Sequence, residues 1–424
     1  MSDIRKITIQ ILLDAFDQNY FSEGKTPFLC ELASDGISGK IKPSLGFANT
    51  RPAIFAGVPP EKSDLFTMFY YSPESSPFRC IRLPRMIGNF PVLGRAVRYA
   101  IGKYVRLTTT NSAVKHYATA ASIPLNLLRY FDFSEKELAY EENYLGSGIR
   151  TIFDILRLKK KEWVYIGWPL YGNDDSKLDF FKKNVAENEF DFIYLHLSKL
   201  DHRGHEYGPR SKQVDNSVRE LDSELKEIYQ LLRAKYNEIN LIVFSDHGMV
   251  EVKKTVNISA EIKRGGLILE KNYVMFLDST MARIWPRNRK AKSTLREILS
   301  RLRDGRILDE QDYRDNRIRF PHNKYGELIF LANPGVLISP NFFQGSCPVK
   351  GMHGYDPLHP YMQSHHGIVV VHSPKIREVG KIDAASLVDI CPTTLMLMDL
   401  PTPRTCYGKI LALCLQRQTQ PQKG

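Results

Sequence analysis

The chain has 424 residues, of which 43% are hydrophobic and 25% charged, an ordinary globular composition with ample length for a large core. Its formal net charge of +12 favours anionic partners: phosphate compounds, nucleic acid or an acidic lipid surface. No apolar run is long enough to span a bilayer. The cysteines (Cys30, Cys80, Cys347, Cys391, Cys406, Cys414) are scattered without a CxxC pair, which argues against a disulfide framework and for a reduced, cytoplasmic setting.

Taken in chain order, residues 7–13 (ITIQILL) are rich in Ile and Leu and predict a buried strand ending at Asp14. Thr8 and Gln10 inside that stretch, and the lack of a small-residue cleavage site, favour a strand over a signal peptide. TPFLCELASDG predicts a helix with Pro27 near its start and Gly36 after its end. VPPEKS reads as a loop, IRTIFDILRLKKK as a helix, EWVYIGWP as a strand stopping at Pro169, and FDFIYLHLS as another apolar strand. DNSVRELDSELKEIYQLLRAKY predicts a helix with Val218, Leu221, Leu225, Ile228 and Leu232 on one face. INLIVFS and GIVVVHS are further buried strands. This alternation implies an α/β fold, a mostly parallel central sheet with helices on both faces. Residues 76–145 and 252–350 break the pattern and read as two cap insertions that shape a cleft. The core then consists of 1–75, 146–251 and 351–415, and the polar tail 416–424 is expected to be disordered.

Acid and imidazole side chains follow the strands: Asp14, then Asp201 and His205 in KLDHRGHEYGP, Asp246 and His247 in FSDHGM, and His353 in GMHGYD. Open α/β sheets bind ligands at the carboxyl ends of their strands. Three carboxylates and three imidazoles there suffice for two divalent ions with open positions, which points to hydrolysis or transfer of a phosphoryl-type group. Each segment has a plainer reading. Asp201 and His205 share a face if helical, whereas Gly204 and Gly208 suggest a loop, and both side chains could be solvated. Asp14 and Asp246 could instead cap following helices. His365 and His366 read as supporting residues, His202 and His359 as exposed.

In combination, DAFDQNY with TPFLCELASDG, KLDHRGHEYGP, FSDHGM and GMHGYD resemble the metal-binding segments of the type I phosphodiesterase/nucleotide pyrophosphatase family, within the alkaline phosphatase superfamily. LVDICPTTLMLMDLPTPRTCYGKIL is similar to that superfamily's closing helix and loop. The matching blocks cover about half of the chain in the family's order, and the two insertions match none of it. The resemblance implies an alkaline phosphatase-like fold and a site for two divalent ions, zinc by its ligands with manganese as the alternative. One ion would be held by Asp201, His205 and His353, the other by Asp14, Asp246 and His247. It also implies a Thr or Ser nucleophile at a helix start, activated by the metal, and a covalent phospho-enzyme intermediate.

The chain departs from the family pattern at that nucleophile, where Phe47 and Ala48 stand in place of a hydroxyl. Thr50 is the nearest hydroxyl and the expected nucleophile. Ser44 is a weaker option, and Thr50 could simply cap the helix ahead of Pro52. Asn49 and Arg51 are expected to bind substrate, through an amide donor and a two-pronged guanidinium. The implied substrate is a phosphate-containing small molecule or a lipid-linked headgroup, cleaved at a phosphodiester or pyrophosphate bond. Transfer to a lipid or glycan hydroxyl, and a catalytically inactive anion-binding or membrane-binding homologue, are the alternatives.

The first insertion mixes Arg79, Arg82, Arg85, Arg95, Arg98, Lys103 and Arg106 with large apolar residues. From Val92 onward, Val97, Ile101, Tyr104 and Val105 recur at helical spacing. Such a helix can lie on the anionic inner face of a membrane, giving peripheral contact through residues 79–106. It can equally pack onto its own domain. Nucleic acid is not expected, because no helix-turn-helix, RRM or KH pattern is present.

Overall fold

The structure is a computed structural model and describes residues 5–46, 48–81, 91–117, 123–146, 148–345 and 347–411. Seven strands form its central sheet: β1 (Lys6–Leu13), β2 (Ile37–Lys42), β3 (Trp163–Ile166), β4 (Phe192–Leu197), β5 (Glu238–Phe244), β6 (Gly367–His372) and β7 (Gly380–Ser386). Their spatial order is β7-β2-β6-β5-β1-β4-β3. Only β6 runs against its two neighbours, and every other pair is parallel. This is the mostly parallel α/β architecture that the sequence implies.

Both faces of the sheet are covered, as side-chain alternation dictates. Ile7, Ile9, Ile11 and Leu13 of β1 join Ile193, Leu195 and Val243 on one face. Phe28 and Leu29 of the helix Pro27–Ser34, and Val218, Leu221, Leu225, Ile228 and Leu232 of the helix Lys212–Lys235, pack against them. Leu12, Tyr194, Ile242 and Phe244 point the other way. They meet Ile54 and Phe55 of the helix Thr50–Ala56, Phe153 of the helix Ile152–Leu158, and Leu395 of the helix Ile390–Leu397. The two polar residues inside β1 are buried, and each makes a side-chain hydrogen bond. Gln10 Nε2 donates to Thr394 Oγ1 at 2.6 Å, and Thr8 Oγ1 accepts from Asn240 Nδ2 at 2.9 Å. VPPEKS, expected as a loop, contains one helical turn, Pro60–Ser63.

The two insertions build one cap around one core. The second supplies an antiparallel sheet of Tyr273–Leu277, Met281–Pro286, Leu328–Ala332 and Gly305–Ile307, in that order. From the first, Phe131–Phe133 pairs with Phe69–Tyr71. Phe69 and Phe131 then bring their rings to 5.4 and 5.0 Å from Phe276 of the second. Arg283 is fully buried at this junction. Its Nε donates to Asp278 Oδ2 at 2.6 Å, its Nη1 to Phe69 O at 2.7 Å, and its guanidinium lies 4.5 Å from the Phe276 ring centre. Among the described residues no helix is long and apolar enough to cross a membrane. Phe47, Arg82, Arg85, the Val92 side chain, Cys414 and the tail 416–424 lie outside what the structure describes.

Removing one member of a buried ion pair strands the other in a low dielectric. Arg283→Ala is therefore expected to lower the unfolding free energy by about 3–5 kcal/mol in a urea titration. A loss below about 1 kcal/mol would mean the pair behaves like a surface one.

Candidate metal centre

The site is assembled at the carboxyl edge of the sheet. β1 and β5 pair with Leu12 opposite Phe244, so Asp14 and Asp246, each two residues further on, emerge side by side. The turn after β1 is fixed by Asp14 N donating to Leu197 O at 2.9 Å. β4 leads into the helix Lys199–Tyr207, whose first turn is held by Asp174. That carboxylate accepts from Ser198 N at 2.9 Å and Lys199 N at 2.7 Å, and the buried Lys177 ammonium lies 2.8 Å from it. Asp201 and His205 stand one turn apart on this helix, with His205 Nε2 3.3 Å from Asp201 Oδ1. The segment is thus helical, and Gly204 serves packing: a Cβ there would meet Met249 Cε at 2.9 Å, and a Cβ on Gly351 would meet Gly204 O at 2.4 Å. The Val250–Met352 pairing then sets His353 beside His247. Their rings stack 3.8 Å apart at an interplanar angle of 9°.

All six expected ligands converge, and they do so in two groups. Asp201, His205 and His353 form one; Asp14, Asp246 and His247 form the other. Within each group the ligand atoms lie within 4.8 Å of one another. The spacing fits a small divalent ion. Bond lengths of about 2.1 Å around a tetrahedral ion separate neighbouring ligand atoms by about 3.4 Å. The observed nitrogen–oxygen separations are 3.3 Å for His205–Asp201, 3.7 Å for His353–Asp201, 3.4 Å for His247–Asp14 and 3.6 Å for His247–Asp246. Asp201 Oδ1 and Asp246 Oδ1 are buried without a hydrogen-bond partner, a costly state for carboxylate oxygens unless a cation meets them. The histidines are oriented to match. His205 Nδ1 donates to Gly351 O at 2.8 Å and His247 Nδ1 to Gly248 O at 3.1 Å. Each Nε2 is thereby turned towards the carboxylates, as in metal-binding histidines oriented from behind. These donors fit a pair of divalent ions.

The charges respond strongly to this crowding. Burial, together with repulsion from Asp14 and against the pull of His247, pushes the Asp246 carboxyl up to about 6. Burial and the Asp201 charge also push Asp14 up. The hydrogen bond from His196 and the charges of His196 and His247 outweigh them and hold it below the ordinary value. Burial, with the nearby His247 and His205, holds His353 well below the usual imidazole range.

A cavity of about 210 Å³ opens onto Asp14, Asp201, Asp246, His247 and His353 and is also lined by Thr50, Arg51, Tyr165, Tyr194 and His196. Thr50 is the first residue of its helix. The cap position belongs to Asn49, whose side chain makes no capping bond, so Thr50 lines the cavity rather than capping the helix. Asn49 is buried, donates Nδ2 to Leu45 O at 2.5 Å, and does not line the cavity, so the expected amide donor to substrate is not in place. Arg51 does line it, but as half of an ion pair. Its Nε donates to Glu135 Oε1 at 2.9 Å, and its guanidinium lies 5.4 Å from the Trp168 ring centre. Ser44 is not on the cavity wall.

Neither Asp14 nor Asp246 caps a helix. The cap of the short Gln18–Tyr20 turn is Asp17, and the next helix after Asp246 starts only at Ile258. His365 Nδ1 meets Asp17 Oδ2 at 2.8 Å, a supporting role, and His366 is half-buried beside it. His202 is exposed, whereas His359 is half-buried and accepts from Tyr361 N. Sequence reasoning passed over His196, whose Nε2 lies 2.9 Å from Asp14 Oδ2. The signal was present: a single imidazole in an otherwise apolar strand, directly opposite Leu12 of β1.

The model of the type I phosphodiesterase/nucleotide pyrophosphatase family matches residues 8–356. The chain belongs to this family. It is 21% identical over 260 residues to ectonucleotide pyrophosphatase/phosphodiesterase family member 7 of Rattus norvegicus, covering 60% of this chain and 52% of that protein. It is 26% identical over 220 residues to a bis(5'-adenosyl)-triphosphatase of Bos taurus, covering 49% and 44%. The chain thus spans about half the length of the curated relatives it matches. Among solved structures it is similar to murine ectonucleotide pyrophosphatase/phosphodiesterase 5, an inactive variant in complex with AMP. The TM-score is 0.68 at 15% identity, covering 97% of this chain and 99% of that one. At that identity the likeness shows the fold, which is the one the resemblance implied.

The backbone just after Asp246 and His247 has no room for a side chain, and Gly248 provides the bare position. A Cβ there would lie 2.3 Å from His365 O and 2.6 Å from Asp17 Oδ2, both in a packed, buried corner. Gly248→Ala is expected to cost about 1–3 kcal/mol of stability in urea unfolding. Gly24→Ala, where a Cβ would meet nothing within 4 Å, serves as the control and should change little.

Proposed function

We propose that this protein is a metal-dependent hydrolase of phosphodiester or pyrophosphate bonds, acting through two divalent ions and a covalent intermediate on Thr50. The observation that carries the reading is the shared cavity: members of both carboxylate–imidazole groups and a helix-start hydroxyl line it. When bound, two such ions supply Lewis acidity, lowering a hydroxyl pKa and offsetting phosphoryl charge. Asp201, His205 and His353 would hold one, and Asp14, Asp246 and His247 the other. Zinc suits these nitrogen and carboxylate donors, with manganese second.

The chain's own groups do the rest. Thr50 Oγ forms the bond to phosphorus as the ester or anhydride oxygen leaves, and water then cleaves the Thr50–phosphoryl bond to restore the hydroxyl. His196 holds Asp14 in place through their 2.9 Å contact. Arg51, pinned by Glu135 and lying against Trp168, presents a fixed positive charge at the rim. Tyr165 and Tyr194 give the cavity a dry aromatic wall, which strengthens the electrostatics within it. AMP in the murine relative supports a phosphate-containing substrate.

The test pairs metal analysis of purified protein with turnover of bis(p-nitrophenyl) phosphate. Asp246→Ala is expected to lose metal and activity together. Thr50→Ala should retain metal while turnover falls about a thousandfold or more, and full activity in that variant would exclude Thr50 as nucleophile.

Proton competition sets a pH dependence. The Asp246 carboxyl titrates at about 6 in the metal-free fold, above its unfolded value, so its contribution to stability is present at low pH and lost as pH rises through about 6. A cation needs the ionised form. The rise in Tm on adding Zn2+ or Mn2+ should therefore grow as pH increases through about 6. A shift that stays flat between acidic and neutral pH would remove Asp246 from the ligand set.

A further inference from the structure

The helix Pro91–Thr108 uses only one side to hold itself in the cap. Val97, Ile101 and Val105, spaced four residues apart, pack against the cap core, and Arg98 Nη1 donates to Ile123 O at 2.6 Å. That accounts for the inward face. The outward arc remains apolar: Leu93 is 49% exposed, Tyr99 70%, Tyr104 56% and Leu107 77%. Arg95, Lys103 and Arg106 are exposed in the same arc, and the helix contains no acidic residue.

We propose that this outward face docks the protein onto an anionic lipid bilayer surface. Lone exposed hydrophobics are ordinary on proteins. Four large ones along one helix, alternating with three cations and no anion, match what an interfacial helix requires. The aliphatic and aromatic side chains enter the headgroup boundary, tyrosine placing its ring in the apolar layer and its hydroxyl in the polar one. The three cations meet acidic headgroups. A nucleic acid would engage the same cations but leave Leu93 and Leu107 in water. The helix is too polar to cross a bilayer, so the contact is peripheral. The cap core beneath the helix also packs against Trp168, which lies over Arg51 at the cavity. The docking face and the cavity are therefore parts of one packed body. This proposal does not depend on the hydrolase reading and holds equally for an inactive homologue.

The experiment is flotation of the full chain with vesicles of phosphatidylcholine alone and of phosphatidylcholine with phosphatidylglycerol. Binding is expected only to the second kind and should weaken with salt. The triple variant Arg95→Gln, Lys103→Gln, Arg106→Gln should lose about a hundredfold in partitioning. The double variant Tyr104→Asp, Leu107→Asp should lose at least about tenfold. Ile268→Asp, at an exposed apolar position elsewhere on the cap, should behave as the parent chain. All of these positions are exposed, and unchanged thermal unfolding would confirm that each variant folds. Failure of the parent chain to float with acidic vesicles would overturn the proposal. So would full binding by the double variant, which would mean that the apolar side chains do not enter the bilayer.

Discussion

Asp14, Asp201 and Asp246 bring three carboxylates into one cavity at the edge of the sheet, and their mutual repulsion is the condition that the surrounding residues are arranged to satisfy. Like charges a few ångströms apart in a buried setting cannot all remain ionised unless something positive lies between them. Three kinds of group answer this. His196 holds one oxygen of Asp14 from the adjacent strand. His205 and His247 are turned by backbone carbonyls so that their other nitrogens face the acids. Asp201 Oδ1 and Asp246 Oδ1, buried and accepting no hydrogen bond, are where a cation would complete the balance. The supporting structure follows from the same condition: Asp174 and Lys177 fix the helix that carries Asp201, and Gly248 and Gly351 let backbone segments approach to place His247 and His353.

Much of this was legible from residue order alone. Long apolar runs bounded by acids located β1, β4 and β5, because a strand buried on both faces has little choice but Ile, Leu, Val and Phe. The ligand positions came with them, since side chains just past a strand's carboxyl end point into the site. The edge of the sheet was less visible. β2 reads ISGKIK and β7 GKIDAAS, and half-exposed strands of that kind carry too few apolar residues to declare themselves. His196 was hidden for the opposite reason, as a polar residue inside a run whose apolar character dominated the reading. The surroundings of Asn49 and Arg51 depend on partners that proximity in sequence cannot disclose. Leu45 O takes the amide, and Glu135, from the far side of the first insertion, takes the guanidinium.

The cap shows how little local patterning says about long-range packing. Two stretches separated by more than a hundred residues looked like independent additions, yet Phe69, Phe131 and Phe276 form one aromatic centre with Arg283 buried beside them. Family membership and the fold persist at 15–26% identity to the relatives compared. Most of the cap lies within the span that the family model matches. The cap also carries the basic helix and supplies Glu135, which positions Arg51 at the cavity rim.

The ligands are strung along the polypeptide from Asp14 to His353, and no two neighbouring ones in space except the Asp201–His205 and Asp246–His247 pairs are close in sequence. Contacts of such long sequence separation form late, because loops must close before they are rewarded. On a ribosome, Asp14 and Thr50 emerge long before His353 exists. The group of Asp14, Asp246 and His247 thus exists in full well before His353 is made, and the group of Asp201, His205 and His353 is completed only with the return of the final core segment.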